Sequence, residues 1–161
     1  MYQLGHYGAA LLAYAPLGGA VALAGYEPAA VIGALVCVSL STLPDCDHRL
    51  PMIEHRGPTH TLLFAVLVGA GLAAAAAMLV GSASPIDVGV VGFAFLVGTL
   101  SIGSHLAADA LTPMGIRPFW PLSRRRYTLA LTRAANPIAN YVLFALGVVA
   151  FVTVAALVVA L

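Results

Sequence analysis

The sequence predicts an all-α fold, a polytopic membrane protein built as a bundle of about five transmembrane helices. Two observations carry this prediction. Of the 161 residues, 61% are hydrophobic and only 8% are charged, whereas charged residues make up about 25% of a typical soluble domain. The apolar residues also fall into long stretches, at about residues 7–25, 29–43, 60–81, 87–111 and 137–161. A single domain, 1–161, accounts for the whole chain.

The length of each stretch decides whether it can cross a membrane, because a helix needs about 20 apolar residues to span about 30 Å of hydrocarbon. The first stretch is adequate, and "MYQLGHYG" before it lacks the basic residue of a signal peptide. The second stretch is short, since Pro28 suits a first helical turn and Pro44 disfavours helix at Leu43. We expect it to span, with partial insertion as the alternative. The last three are long enough, and their many small residues favour close helix packing.

The charged residues predict the orientation. If five spans alternate, the N-terminus and the segments 44–59 and 112–136 share one side of the membrane. That side holds all seven arginines, Arg49, Arg56, Arg117, Arg124, Arg125, Arg126 and Arg133. The opposite side holds only Glu27 and Asp87. By the positive-inside rule, the arginine side is cytoplasmic and the C-terminus lies outside the inner (plasma) membrane.

The same topology gathers the histidines and aspartates at the cytoplasmic helix ends. The segment "LPDCDHRLPMIEHRGPTHT", residues 43–61, contains three histidines and two aspartates in an otherwise apolar chain. In "HLAAD", His105 and Asp109 are four residues apart and therefore share one helix face. An ionisable pair at membrane depth is costly unless it is paired or binds a metal. The predicted metal ligands are His6, Asp45, His60, His105 and Asp109.

Carboxylate oxygens and imidazole nitrogens together suit a divalent transition metal. We predict one or two ions, with Zn²⁺ first and Mn²⁺, Fe²⁺ or Co²⁺ as alternatives, and a metal-activated water as the nucleophile. Taken singly, His105 with Asp109 could form a structural hydrogen-bonded pair, and Asp45 and Asp47 could cap a helix. No Ser-His-Asp or Cys-His arrangement, Gly-rich phosphate loop or H-E-x-x-H motif offers another chemistry.

Three motifs resemble the YdjM-like family, whose members are described as LexA-binding, inner-membrane-associated, metal-dependent hydrolases. They are "LPDCDH", "HRGPTHT" and "HLAADALTPMGIRPFWP", in the family's order, after an N-terminal helix that opens with a histidine. The resemblance runs from His6 to about Arg126. The departures are Pro58, Thr61 and a short spacer between the first two motifs. Nothing in the sequence encodes the LexA association.

The resemblance implies a multi-span protein with a hydrolytic metal site. The positions that match the family motifs are Asp45, Asp47, His48, His55, Arg56, Thr59, His60, His105, Asp109 and Thr112. We assign Asp47 and His55 as further ligands or acid–base groups, and Arg56 as the group that stabilises a developing anion. His48, Thr59 and Thr112 are expected beside the ligands, where hydrogen bonds orient them. His48 could instead be simply solvated.

The segment after Asp109 carries the substrate clues. Prolines interrupt any helix there, Trp120 suits the headgroup region, and Arg124, Arg125 and Arg126 would attract anionic lipid or grip a phosphate. The alternative is that this segment only anchors the bundle and sets its topology.

We therefore predict a metal-dependent hydrolase of a phosphoester or phospholipid-type substrate. The alternative is a non-catalytic metal-binding or regulatory membrane protein. A transporter is disfavoured because the polar residues cluster at one face of the membrane. The expected partners are the lipid bilayer and a phosphorylated or lipid substrate, without nucleic acid; the oligomeric state stays open.

Overall fold

The computed structural model describes residues 1–49, 55–80 and 85–161, and within these ranges the chain is helical without a β-strand. The predicted all-α class is therefore confirmed. Two short 3₁₀ helices, Leu43–Arg49 and Pro58–His60, lie between the second and third α-helices. The five α-helices are Gln3–Leu23 (α1), Glu27–Leu40 (α2), Leu62–Val80 (α3), Pro85–Ala110 (α4) and Pro137–Ala160 (α5).

Among the described residues, five segments are long and apolar enough to cross a membrane, as predicted. Four of them are α1, α3, α4 and α5. The second is the 22-residue run Glu27–His48, in which α2 is followed by the first 3₁₀ helix. Pro44 is expected to disfavour helix at Leu43, whereas the 3₁₀ helix begins at Leu43. Proline is tolerated in a first helical turn, and the Asp45 amide donates to the Thr42 carbonyl at 3.2 Å.

Helix α1 packs against α2, α4 and α5, and α3 packs against α4. Pairs of glycines allow two of these contacts to be close. A Cβ added to Gly147 would collide with the backbone of Gly8 on α1, and one added to Gly98 would come within 2.9 Å of Gly69 on α3. By contrast, most side chains of α3 and α5 are exposed, which leaves apolar surface for lipid.

Two buried hydrogen bonds join helices inside the apolar bundle. The Tyr14 hydroxyl donates to the Ala30 carbonyl at 2.6 Å, and the Ser101 hydroxyl donates to the Cys37 carbonyl at 2.6 Å. Cys37 is buried and Cys46 is exposed, and both are free thiols. These bonds tie α2 to α1 and α4, and so help to fix the relative height of the helix ends.

The start of the chain is held against the start of α5. The side-chain oxygen of Asn140 accepts a hydrogen bond from the Tyr2 amide at 2.9 Å, while its nitrogen donates to the carbonyls of Ala134 and Asn136. Asn140 is buried, and every polar atom of its side chain has a partner. This contact places the first turn of α1, which contains His6, at the end of the bundle where α5 begins.

Candidate metal centre

The structure brings all five predicted metal ligands to one end of the bundle. His6 lies in the first turn of α1, and Asp45 lies in the 3₁₀ helix after α2. His60 ends the second 3₁₀ helix, just before α3. His105 and Asp109 occupy the last turns of α4. Four of the five are buried, and Asp45 is the exception, with 27% of its side chain exposed.

Four of these side chains have donor atoms close enough to share one ion. One atom from each of Asp45, His60, His105 and Asp109 lies within 4.8 Å of all the others. The Nε2 atom of His60 is 3.6 Å from Asp45 Oδ1 and 3.5 Å from Asp109 Oδ2, and the Nε2 atom of His105 is 3.6 and 3.7 Å from the same oxygens. Two donors bound to one tetrahedral Zn²⁺ at about 2.1 Å lie about 3.4 Å apart.

The hydrogen bonds on the far side of each ring fix the imidazole tautomers. His105 Nδ1 lies 2.7 Å from the Ser41 carbonyl oxygen, which can only accept, so Nδ1 carries the proton. His60 Nδ1 lies 3.0 Å from the Thr59 hydroxyl, whose own proton points to Asp47. His60 Nδ1 is therefore also the donor. In both neutral rings the lone pair of Nε2 faces the centre, which is the arrangement of metal-bound histidines.

The centre consequently collects acceptor atoms that lack a donor. The two Nε2 atoms are only 3.1 Å apart. Asp109 Oδ2 is fully buried and has no hydrogen-bond partner among the residues the structure describes. Buried acceptors without partners are costly, and a cation between them would satisfy all of them. The donor set therefore fits a divalent metal ion.

A proton can supply part of that positive charge when no metal is bound. Burial lowers the pKa of His60, but the nearby carboxylates of Asp109 and Asp45 outweigh burial, so the pKa is raised above its ordinary value. Protonated His60 then donates toward those carboxylates. A metal ion would have to displace this proton.

His6 lies at the edge of the centre. Its ring stacks on His105 with centroids 3.8 Å apart, and its Nε2 is 3.7 Å from Asp109 Oδ1 and 3.8 Å from Asp45 Oδ2. The Met1 nitrogen lies 3.1 Å from the same Nε2 and donates to Asp109 Oδ1 at 2.8 Å. His6 is thus within reach of both carboxylates but shares its position with this nitrogen.

Asp47, which we predicted as a ligand or acid–base group, lies behind His60. Its Oδ1 is 2.9 Å from His55 Nδ1, and its Oδ2 accepts from the Arg56 amide and the Thr59 hydroxyl. Oδ2 is also 3.3 Å from His60 Nδ1. A carboxylate in this place orients a histidine and raises its basicity as a ligand.

His55 and His48 lie on the outer side of Asp47. Their rings stack at 3.7 Å, and His48 is exposed whereas His55 is partly buried. Together with Asp45 and Asp47 they form a second group whose donor atoms lie within 4.8 Å of one another. This group shares Asp45 with the buried one.

Arg56 connects the centre to the segment after α4. Its Nη2 donates to Asp109 Oδ1 at 2.9 Å, and its Nη1 donates to the Thr112 hydroxyl at 2.9 Å and the Gly115 carbonyl at 3.0 Å. Thr112 donates in turn to the Asp109 carbonyl. Arg56 is therefore a buried cation that spans the distance from Asp109 to this segment.

The predicted lipid- or phosphate-contacting residues lie on the surface of that segment. Arg124, Arg125 and Arg126 are exposed, and Trp120 is partly exposed. Arg125 lies over the ring of Tyr127, 5.4 Å from its centroid, whereas Arg126 lines a small pocket next to Arg56. Two contacts could not be predicted from the sequence, those of the Ser41 carbonyl and the Met1 nitrogen, because backbone groups leave no side-chain signal.

The family comparison agrees with this architecture. The model of the family described as YdjM inner membrane protein matches residues 1–161, the whole chain. No curated protein and no solved structure matches the chain. Full-length agreement covers the histidine at the start of α1, both 3₁₀ helices and the end of α4. The chain therefore belongs to the YdjM inner membrane protein family.

Proposed function

We propose that this protein is a membrane-bound, metal-dependent hydrolase that acts on a phosphoester or phospholipid-type substrate. One observation carries the proposal: buried acceptor atoms of His60, His105 and Asp109 converge, with Asp45, at one end of a membrane bundle. Without a cation, the buried oxygen Asp109 Oδ2 has no donor among the described residues, and an unsatisfied buried acceptor destabilises the fold. A divalent ion, Zn²⁺ first, fits its mixed nitrogen and oxygen donors.

The four residues of the buried group would hold the ion, with His6 as an additional ligand at the edge. When bound, such an ion supplies Lewis acidity and lowers the pKa of water toward neutrality. His55 is the candidate for proton transfer. Its Nδ1 is held by Asp47, its Nε2 has no hydrogen-bond partner among the described residues, and 29% of its side chain is exposed. Arg56, beside Asp109, is placed to stabilise negative charge that develops next to the ion.

We further propose that the centre faces the cytoplasm and that the C-terminus lies outside. All seven arginines fall in the segments that share the metal-centre end of the bundle, which supports this orientation by the positive-inside rule. The bilayer is the expected partner of the exposed faces of α3 and α5. A site at the membrane surface with arginines nearby favours a phosphorylated or lipid substrate over a peptide.

Turnover with and without chelator tests the proposal. Purified protein is assayed on phosphomonoesters, phosphodiesters and phospholipids, and its metal content is measured by elemental analysis. We expect turnover that chelator abolishes and that Asp109→Ala lowers by at least about a hundredfold. Glu27→Gln, which removes an exposed carboxylate at the other end of the bundle, is the matched control and should retain activity. Equal turnover by wild type and Asp109→Ala would refute the catalytic proposal.

One observation favours a second function, metal binding without turnover. Four protein donors can close a tetrahedral coordination sphere, as in structural zinc sites, whereas catalytic sites keep an open position. Wild-type protein that retains stoichiometric metal but shows no turnover on any substrate class would support this regulatory or structural role.

A further inference from the structure

A small pocket lies beside the metal centre, on the far side of Arg56. It is lined by His55, Arg56, residues 114–117 and Arg126, and its volume is about 40 Å³. A water molecule needs about 10–15 Å³ of such space, so roughly three water-sized groups fit. This is the size of one tetrahedral oxyanion rather than of a whole organic substrate.

The lining of the pocket is basic. Three of its lining residues are arginines, Arg56, Arg117 and Arg126, and a fourth is His55, whereas none of the lining residues that the structure describes is acidic. Three arginines around so small a space favour an anion. A planar guanidinium group can donate two parallel hydrogen bonds to the oxygens of one phosphate, whereas neighbouring carboxylates would repel the phosphate.

Arg56 provides an independent observation, a buried donor without a partner in the described part of the chain. Its side chain is only 8% exposed. Its two terminal nitrogens have partners, but its Nε is buried and has no acceptor in ranges 1–49, 55–80 and 85–161. A buried donor without an acceptor destabilises the fold, and the residue that carries it lines the pocket.

The wall of the pocket is fixed by backbone hydrogen bonds. Ile116 and Tyr127 exchange two amide–carbonyl bonds, of 3.0 and 2.9 Å, in an isolated antiparallel bridge. This bridge brings Arg126 next to Arg117. Gly115 precedes it with φ of 61°, and a Cβ at that position would collide with the Tyr127 carbonyl. The basic groups are therefore set by the fold rather than gathered by chance on a surface.

We propose that this pocket binds a phosphate group of the substrate, with Arg56 lying between that phosphate and the metal centre. The inference rests on the proposed hydrolase function and narrows it to substrates with an accessible phosphate. Arg56 links the two places, because its Nη2 contacts Asp109 while its side chain lines the pocket. The shared chemistry is a phosphate group, on a lipid or on a soluble ester.

Binding of inorganic phosphate tests the pocket without any assay of turnover. The protein in neutral detergent is titrated with phosphate, and the fluorescence of Trp120, the only tryptophan, reports binding. Trp120 is adjacent to the pocket, since its amide donates to the Arg117 carbonyl. The titration is made with metal-loaded protein and with protein stripped by chelator. We expect saturable binding in both, because the arginines and not the ion hold the anion.

Arg126→Gln is the decisive variant, because Arg126 is exposed and lies outside the metal centre, so that the fold should tolerate the change. We expect phosphate affinity to fall by about tenfold or more, the effect of one charge-assisted hydrogen bond. Arg133→Gln removes an exposed arginine of the same segment that does not line the pocket, and it should bind as wild type does. Metal content should be unchanged in both variants.

Three results would overturn the inference: no saturable phosphate binding, binding that disappears when the metal is removed, or equal losses in Arg126→Gln and Arg133→Gln. Phosphate binding by a protein that never takes up metal would instead refute the hydrolase proposal and leave the pocket intact. Vesicles of phosphatidylcholine with or without phosphatidic acid distinguish the sources. Competition by phosphatidic acid indicates a lipid phosphate, and its absence indicates a soluble ester.

Discussion

The Nε2 atoms of His60 and His105 lie 3.1 Å apart, although 45 positions separate the two residues in the chain. Each ring directs its other N–H away from this contact. His60 Nδ1 faces Asp47 and Thr59, and His105 Nδ1 donates to the Ser41 carbonyl. Two lone pairs facing each other are repulsive unless a proton or a metal ion lies between them. This pair of histidines is therefore the point at which metal binding can be tested most directly.

His105→Ala should abolish metal binding. The substitution removes one of the four side chains that can share an ion, so we expect metal content, measured by elemental analysis, to fall by at least about tenfold. His48→Ala is the matched control, because His48 is an exposed histidine outside the buried group. Circular dichroism should show equal helix content in both variants. Equal metal content in wild type and His105→Ala would contradict the assignment.

The wild-type protein should bind one ion tightly rather than two. The second group of candidate ligands, here called the outer group, consists of Asp45, Asp47, His48 and His55. The oxygens of Asp47 are already engaged by His55, Thr59 and the Arg56 amide. The outer group is therefore a weaker ligand set than the buried group. We expect about one ion per chain at saturation, unchanged in His48→Ala. A wild-type content of about two that falls to one in His48→Ala would show instead that the outer group is a second site.

Asp47→Asn should weaken metal binding although Asp47 faces away from the centre. The amide removes the negative charge behind His60, and its nitrogen cannot accept the hydrogen bonds that Asp47 receives. Loss of such an outer partner costs about ten- to a hundredfold in metal affinity. Competition with a fluorescent chelator measures the change, and Glu27→Gln is the control. An unchanged affinity would leave Asp47 free for the acid–base role.

Metal affinity should rise with pH through the neutral range. In the metal-free protein, burial lowers the pKa of His60, but the carboxylates of Asp109 and Asp45 raise it by more, so the net shift is upward. Below that raised pKa a proton occupies the ring and must leave before metal binds. Metal binding should therefore be weaker at lower pH. Chelator competition between about pH 6 and about pH 8 checks it, and a pH-independent affinity would contradict it.

The convergence of the ligands could be predicted because two simple rules fix it. Apolar length and alternation decide which helix ends meet, and a spacing of four residues puts His105 and Asp109 on one face. The orientation of Asp47 could not be predicted in this way. It depends on the 3₁₀ turn after Pro44, in which Asp45 and Asp47 diverge, one toward the centre and one toward Thr59.

The pocket lined by Arg56 and Arg126 shows a second limit of sequence reasoning. Arg117 and Arg126 are brought together by a two-residue bridge between Ile116 and Tyr127, which has none of the alternation that marks a strand. The sequence alone does not distinguish among the three consecutive arginines, Arg124, Arg125 and Arg126. The bridge at Tyr127 places the neighbouring Arg126 at the pocket, whereas Arg124 does not line it.

Gly147→Ala should destabilise the bundle at the contact between α1 and α5. An added Cβ would collide with the Gly8 backbone, and overpacking of this kind costs about 1–3 kcal/mol. Gly71→Ala is the matched control, because nothing lies within 4 Å of a Cβ at that exposed position of α3. Its effect should stay within about 0.5 kcal/mol.

Unfolding in increasing dodecyl sulfate, followed by circular dichroism, measures both changes. Because α1 carries His6 and α5 holds the start of the chain through Asn140, Gly147→Ala should also weaken metal binding, whereas Gly71→Ala should not. Equal stability of the two variants would mean that α1 and α5 are not packed through their glycines, and the position assigned to His6 would then lose its support.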